Sequence, residues 1–204
     1  MTNTVLVIIS GPSGVGKSEI AKRLLNCQEL NIKQRIGFTT RSPRQGEVEG
    51  QEYYFVSKEE FLKRLNNKEI SNYFEYNNNY YWGSPISLEN DLLTKNILQI
   101  ITIESFKKAK KVWGDKIVSF WLQPSHIDKL LSNLRKRGDK GDKEEDIEKR
   151  LAIAETEMSS ANKEEYDHVF TVNDNLDELA EIIKKEVIFK LQELQTQVII
   201  NPRH

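Results

Sequence analysis

The sequence predicts an α/β fold in which a mostly parallel β-sheet is flanked by helices. Two observations support this fold class. Short apolar runs typical of buried strands alternate along the chain with segments whose apolar residues recur at helical spacing. The first of these runs, residues 5–10, leads directly into a glycine-rich loop and then into a helix. With 204 residues, the chain should form one compact unit with inserted lobes rather than two independent domains.

The glycine-rich loop has the spacing G-x-x-x-x-G-K-S, which is typical of a phosphate-binding cradle. Its glycines let the backbone curl so that successive N–H groups, together with the positive end of the following helix, meet phosphate oxygens. Lys17 can reach the outer phosphates of a nucleoside triphosphate, and Ser18 is placed to hold Mg²⁺. A purely structural glycine-rich turn is the alternative interpretation. The predicted triphosphate-binding residues are Gly11, Pro12, Ser13, Gly14, Val15, Gly16, Lys17 and Ser18.

Apolar periodicity and helix-capping residues predict the helices and strands that follow the cradle. Residues 19–26 carry apolar side chains at helical spacing, and the aromatic-rich residues 52–56 predict a short strand. Ser57 and Glu60 form a capping box for the next helix. Ser84-Pro85 predicts another helix start, with the proline at the first helical position. The remaining predicted elements are strand 96–103, strand 116–122, a helix opening at 124–125, a helix through 151–158, strand 166–172 and helix 176–194.

Composition narrows the possible partners and the cellular setting. Thirty basic and 31 acidic residues nearly cancel, so no global charge attracts nucleic acid or anionic lipid. Cys27 is the single cysteine, which excludes an internal disulfide and suits a reducing cytosol. No apolar run approaches the length needed to cross a bilayer, and no histidines have metal-ligand spacing. We therefore expect a soluble, cytoplasmic protein.

A second motif, T-T-R-S-P-R-Q-G-E at residues 39–47, is more specific than the cradle. With both motifs, the chain resembles guanylate kinases, which belong to the nucleoside monophosphate kinase group. The resemblance extends over nearly the whole length. Its other marks are Gly50, Tyr53, Phe74-Glu75-Tyr76, Gly83-Ser84-Pro85, Arg137-Gly138, Arg150-Leu151, Ala154, Glu157, Tyr166-Asp167 and Asn173-Asp174.

The resemblance implies a P-loop kinase core with two inserted parts. The core would comprise residues 1–36, 92–134 and 151–204. A monophosphate-binding lobe would occupy residues 37–91, and a lid would occupy the charge-dense residues 135–150. Few apolar residues in that last segment predict that it is mobile. ATP, with Mg²⁺ as cofactor, and GMP or dGMP are the implied substrates.

The predicted catalytic side chains are cationic, because phosphoryl transfer depends on positioning and on neutralisation of charge. Arg41 and Arg44 lie either side of a proline and can direct two guanidinium forks at one phosphate, with Lys17 on the donor side. Arg137 and Arg150 would cover the transferring group from the lid. Solvated arginines are the alternative interpretation for both pairs. Asn133 stands where the family usually carries a second lid arginine, which leaves open whether Arg135 substitutes for it.

Base recognition combines matches with departures from the family pattern. The Glu75 carboxylate can accept two hydrogen bonds from guanine, Ser84 can donate to its oxygen, and Tyr53 can add a donor to the phosphate. Gly37 replaces a serine, and Trp82 replaces a tyrosine for which Tyr81 or Tyr80 would compensate. Thr102 and Glu104 stand in place of an acidic pair. The predicted GMP-binding residues are Arg41, Arg44, Tyr53, Glu75, Tyr81, Ser84 and Glu104, and Asn173 is expected on the adenine side.

The sequence therefore predicts an ATP-dependent guanylate kinase with an altered base pocket. Two alternatives stay open. One is a related kinase acting on a different phosphate-bearing acceptor, against which Glu75 and Ser84 argue. The other is a catalytically weak interaction module, against which the intact Lys17 and Ser18 argue.

Overall fold

The computed structural model describes residues 3–43, 47–76, 80–86, 88–137 and 144–200. Its strands, numbered along the chain, are β1 Leu6–Ser10, β2 Ile32–Gln34, β3 Gly37–Thr39, β4 Tyr53–Phe55, β5 Ile70–Tyr76, β6 Tyr80–Pro85, β7 Asn96–Ile100, β8 Ile117–Pro124 and β9 His168–Val172. Its α-helices are α1 Lys17–Leu25, α2 Lys58–Asn66, α3 Leu88–Asp91, α4 Ile103–Trp113, α5 Ile127–Arg137, α6 Glu144–Ser160 and α7 Leu176–Ile200.

The chain forms two compact units, of which the first combines Met1–Gln34 with Leu92–His204 and the second is Arg35–Asp91. The second unit begins two residues before the predicted lobe and ends at the same residue. Residues 138–143 of the predicted lid, which include Gly138 and Gly141, lie outside the described residues. The described ends of that segment, at 135–137 and 144–150, are helical.

The first unit is built on a five-stranded sheet with the order β2-β7-β1-β8-β9. All its strand pairs are parallel, which confirms the predicted fold class. Every residue of the central strand β1 is buried, as expected for a strand covered by helices on both faces. The loop at residues 11–16 leaves the carboxyl end of β1, where open α/β sheets bind their ligands.

Helices bury apolar side chains against both faces of this sheet. One face packs Val7 and Ile9 with residues of α1 and α7, including Ile20 and Ile183, all of them 0% exposed. On the other face the ring of Phe106 from α4 stacks on Tyr166, with 4.1 Å between ring centroids. The Trp121 ring lies 5.4 Å from Tyr166. Within the described residues, no helix is long and apolar enough to span a membrane.

The second unit contains a mixed four-stranded sheet with the order β4-β3-β6-β5. Its small core consists of Phe38, Phe61, Ile70 and Tyr81, with Phe61 supplied by α2. A Cβ atom at Gly83 would lie 2.6 Å from Ile70 Cγ2 and 2.9 Å from Phe61 Cζ. This close approach requires glycine at position 83.

One prediction in the second unit is wrong. Ser84 and Pro85 end strand β6 rather than starting a helix, and the next helix, α3, begins at Leu88. Proline biases the residue before it toward extended backbone, a conformation shared by helix N-caps and strand ends. The pairing of Ser84 with Asn72 and of Pro85 with Ile70 in β5 identifies the strand end.

A second correction concerns the segment after β7. The predicted strand 96–103 ends at Ile100, and a helix that is absent from the predicted elements, α4, begins at Ile103. The Thr102 hydroxyl caps this helix by accepting a hydrogen bond from the Ser105 N–H at 3.3 Å. The predicted Ser57 cap of α2 is confirmed, since its hydroxyl accepts from the Glu60 N–H at 3.0 Å.

Candidate active site

The glycine-rich loop between β1 and α1 adopts a conformation that only glycine readily allows. Gly11 has φ +147°, and a Cβ atom there would lie 2.2 Å from the carbonyl oxygen of Leu122. Gly16 has φ +108° and forms the N-cap of α1. The left-handed backbone favours glycine at both positions. At Gly11, the contact with Leu122 of a neighbouring strand leaves no room for a side chain. The N-terminal amides of α1 follow directly and offer a binding site for an anion.

Lys17 is held over its own loop. Its Nζ donates hydrogen bonds to the carbonyl oxygens of Gly11, at 2.6 Å, and of Pro12, at 2.9 Å. These bonds keep the ammonium at the mouth of the loop, where it can move onto a phosphate oxygen. Ser18 is half-buried in the first turn of α1, next to Lys17.

Two carboxylates influence this end of the loop. Burial raises the pKa of Glu157 on α6, the positive charge of Lys17 opposes this shift, and Glu104 on α4 adds to it. Burial likewise raises the pKa of Tyr166 to about 12. Lys17 therefore lies in the field of a partly desolvated glutamate. Glu157 is one of the marks of the family resemblance, and its contact with the field of Lys17 is visible only in the structure.

Thr102 and Glu104, which stand in place of an acidic pair in the family pattern, have different structural roles. Thr102 uses its hydroxyl to cap α4, so it supplies no charge to the site. Glu104 is exposed in the first turn of that helix and interacts electrostatically with Glu157. Glu104 therefore lies near Glu157, and its contact with GMP stays a prediction.

The remaining predicted residues of the first unit are placed on helices and on a turn. Arg150 is half-buried on α6, and Arg137 is the last residue of α5, with its side chain outside the described part of the structure. Asn173 is exposed, and its side-chain oxygen accepts from the Asn175 N–H at 3.0 Å. This Asx turn precedes α7 and gives Asn173 a structural use beside its predicted contact with adenine.

In the second unit, Arg41 is the best-organised predicted ligand of a phosphate. Its two terminal nitrogens donate to the two carboxylate oxygens of Glu47 at 2.6 and 2.7 Å. The guanidinium carbon lies 5.3 Å from the ring centroid of Tyr53 and 5.5 Å from that of Phe55. Only 10% of the Arg41 side chain is exposed, so its orientation is set before any ligand binds. Arg44 lies outside the described residues.

Strand register separates the two residues predicted to recognise the base. Glu75 pairs with Tyr81, and Ser84 pairs with Asn72. Because side chains alternate between the faces of a strand, Glu75 and Ser84 belong to opposite faces of the β5–β6 pair. Ser84 shares its face with Trp82, and the structure does not bring Glu75 to that face.

The structure gives Tyr81 and Gly37 packing roles in the second unit. The Tyr81 ring is 8% exposed and packs in the small core of the second unit, so its expected compensation for Trp82 finds no support. A Cβ atom at Gly37 would lie 2.9 Å from the carbonyl oxygen of Gly83. Strands β3 and β6 therefore approach each other too closely at position 37 for the serine of the family pattern to fit easily.

Within the described residues, no group of three or more His, Cys, Asp or Glu side chains could hold a metal ion. A divalent cation would therefore depend on few protein ligands together with substrate phosphates, as is usual for Mg²⁺. The hydroxyl of Ser18, next to Lys17 in the first turn of α1, has the hard oxygen chemistry that this ion prefers.

Comparison with known proteins agrees with this arrangement. The guanylate kinase family profile matches residues 3–190. Guanylate kinase from Mycoplasmoides gallisepticum is 40% identical over 186 residues, covering 90% of this chain and 92% of the relative. The enzyme of that name from Porphyromonas gingivalis is 38% identical over 189 residues, covering 90% and 96%.

A solved structure shows the same fold. The crystal structure of guanylate kinase from Anaplasma phagocytophilum aligns with a TM-score of 0.70 at 29% sequence identity, covering 94% of this chain and 93% of that one. The family match over residues 3–190 includes both the cradle and the arginine motif. This chain belongs to the guanylate kinase family.

Proposed function

We propose that the protein transfers the γ-phosphoryl group of Mg²⁺-bound ATP to GMP, giving ADP and GDP. The family match over residues 3–190 carries this proposal, because it includes both the phosphate cradle and the 39–47 motif. The first supplies a site for a triphosphate, and the second supplies an oriented guanidinium for a monophosphate.

On the donor side, the loop amides and Lys17 bind the triphosphate. Lys17 exchanges its bonds with the Gly11 and Pro12 carbonyls, at 2.6 and 2.9 Å, for bonds with phosphate oxygens. Ser18 would hold Mg²⁺ together with those oxygens, where the ion would supply neutralisation of the phosphate charge. Arg137 and Arg150 add positive charge at the transferring group, and Asn173 contacts the adenine side.

On the acceptor side, Arg41, Arg44 and Tyr53 bind the phosphate of GMP. The bidentate pair of Arg41 with Glu47 supports this role, since it presents a fixed guanidinium rather than a flexible one. Two cation–π contacts, with Tyr53 and Phe55, restrain it further. An oriented fork reduces the entropy lost when the phosphate binds.

The base pocket is altered from the family pattern. Gly37 offers no side-chain hydrogen bond, and Trp82 can only donate through its indole N–H. Glu75 and Ser84 are the groups proposed to read guanine, although their faces differ in the β5–β6 register. Because dGMP carries the same base and phosphate as GMP, it is expected to serve as an acceptor as well.

A coupled assay of ADP release tests this function. GMP, dGMP, AMP, CMP and UMP are compared at equal concentration with Mg²⁺ and ATP, and Lys17→Ala protein purified in parallel controls for contaminating kinases. The fastest turnover is expected with GMP. Absence of turnover with GMP, or a clear preference for another monophosphate, would overturn the proposal.

A further inference from the structure

Asn133 on helix α5 contacts the phosphate cradle directly. Its side-chain Nδ2 donates a hydrogen bond of 2.9 Å to the carbonyl oxygen of Gly14, at a half-buried site. The family resemblance places a lid arginine at this position. In this chain, the structure instead joins the side chain to the backbone of the loop.

The same face of α5 packs closely on Gly14. A Cβ atom at Gly14 would lie 3.3 Å from Leu134 Cγ and 3.4 Å from the Leu130 carbonyl oxygen. Leu130 and Leu134 are both 0% exposed. Residues 130, 133 and 134 have the i, i+3, i+4 spacing of one helix face. Asn133 therefore belongs to a built contact between α5 and the cradle, and its amide is the polar group of that contact.

This hydrogen bond restrains a peptide group that would otherwise rotate easily. Gly14 has φ +87°, a conformation that glycine leaves at little cost. The peptide unit that joins Gly14 to Val15 is planar, so its carbonyl and its N–H point in opposite directions. The carbonyl is held by Asn133, and the Val15 N–H donates to the Pro12 carbonyl oxygen at 3.3 Å. The peptide is thus fixed at both ends.

We propose that Asn133 is a positioning residue that keeps the Gly14 carbonyl turned toward α5 and away from bound phosphate. Rotation of this peptide would aim the negative end of a dipole at an anionic ligand, which disfavours binding. The inference rests on the proposed function, because it concerns how well the cradle accepts ATP. It assigns Asn133 an effect on donor affinity and none on the acceptor.

Calorimetric titration with Mg²⁺ and ATP, without GMP, measures this effect. Asn133→Ala is expected to raise the Kd for ATP about three- to tenfold, the equivalent of one neutral hydrogen bond. Ser132→Ala is the matched control, since Ser132 is the exposed neighbour on the same helix. The KM for GMP should stay within twofold of the wild-type value. An unchanged Kd for ATP in Asn133→Ala would overturn the proposal.

Two further measurements separate positioning from general stability. Asn133→Asp keeps the shape of the side chain but removes the donor, and Ser132→Asp controls for the added charge. A larger loss of ATP affinity is expected in Asn133→Asp than in Ser132→Asp. Equal losses, or a parallel rise of both KM values that follows a fall in Tm, would refute the positioning role. Failure of the proposed function is distinguishable, because it shows in wild-type protein as absent turnover with GMP.

Discussion

The two units of this protein hold their proposed phosphate-binding groups in different ways. In the first unit, the proposed phosphate ligands are backbone amides, and Gly11 and Gly16 provide the conformations that expose them. In the second, the proposed ligand is a side chain, and Arg41 is held by Glu47 and by two aromatic rings. The first arrangement follows from a contiguous motif. The second depends on residues that strands and a turn bring together.

This difference has a consequence for how each site tolerates change. A cradle made of backbone amides tolerates most side-chain exchanges outside its glycines, Lys17 and Ser18, because the amides remain. A site made of side chains depends on strand register, and a one-residue change of register moves every side chain to the other face. The separation of Glu75 from Ser84 in the second unit illustrates that sensitivity.

The largest effect is expected at Lys17. Lys17→Ala removes the ammonium that neutralises the transferring phosphates, and loss of one preorganised group of this kind lowers kcat about 10²- to 10³-fold. Steady-state kinetics with ATP and GMP measure it. Lys22→Ala, an exposed lysine of the same helix, is the control and should keep wild-type kcat. Full activity in Lys17→Ala would contradict the proposed contribution of the Lys17 ammonium to phosphoryl transfer.

Arg41→Lys tests the side-chain site. Lysine cannot reproduce the bidentate geometry that Glu47 orients, so kcat/KM for GMP should fall about ten- to a hundredfold, while the Kd for ATP stays unchanged. Arg64→Lys is a matched control, because Arg64 in the same unit pairs with Glu60 and Glu69, each at 2.9 Å. An equal fall of kcat/KM for GMP in both variants would contradict a specific role for the bidentate geometry of Arg41.

Gly37→Ser reintroduces the family serine and sharpens the comparison. Its Cβ would lie 2.9 Å from the Gly83 carbonyl oxygen, a backbone atom that cannot easily move. Overpacking of this kind costs about 1–3 kcal/mol, and each kcal/mol lowers Tm by about 2–4 °C in a protein of this size. Thermal unfolding should show this loss, with Lys63→Ala on the exposed face of α2 as control. A lower KM for GMP in Gly37→Ser, without a fall in Tm, would disprove the steric explanation.

The smallest effect is expected for Glu157→Gln. Burial raises the pKa of Glu157, so the folded state binds more protons than the unfolded state above the ordinary glutamate pKa. Stability is therefore lost as pH rises from that ordinary value through the raised one. Glutamine removes the buried charge and should raise the Tm of nucleotide-free protein slightly at pH 8.

The gain from Glu157→Gln should disappear at a pH below the ordinary glutamate pKa, where the carboxyl is protonated in both states. Thermal unfolding at several pH values checks this. Glu155→Gln, at an exposed position of the same helix, provides the control. A Tm difference for Glu157→Gln that is independent of pH would indicate that altered packing, not ionisation, is responsible.

Local sequence was sufficient for much of the fold. The parallel sheet, the cradle and the Ser57 cap follow from short-range patterns, because apolar periodicity and cap chemistry act within a few residues. Ser84-Pro85 was misread for the same reason, since its extended backbone suits a helix cap and a strand end equally. Helix α4 was missed although Thr102 caps it.

The sequence by itself determined which residue types are available for phosphate chemistry, since the glycines, Lys17, Ser18 and the arginine motif lie in contiguous runs. Only the tertiary structure decided which side chains and backbone groups come into contact. The bond between Asn133 and Gly14 joins residues 119 positions apart in the chain, and no short-range pattern contains it. Tyr81 turns into a core, and Glu75 and Ser84 turn to opposite faces, because pairing between strands fixes side-chain direction.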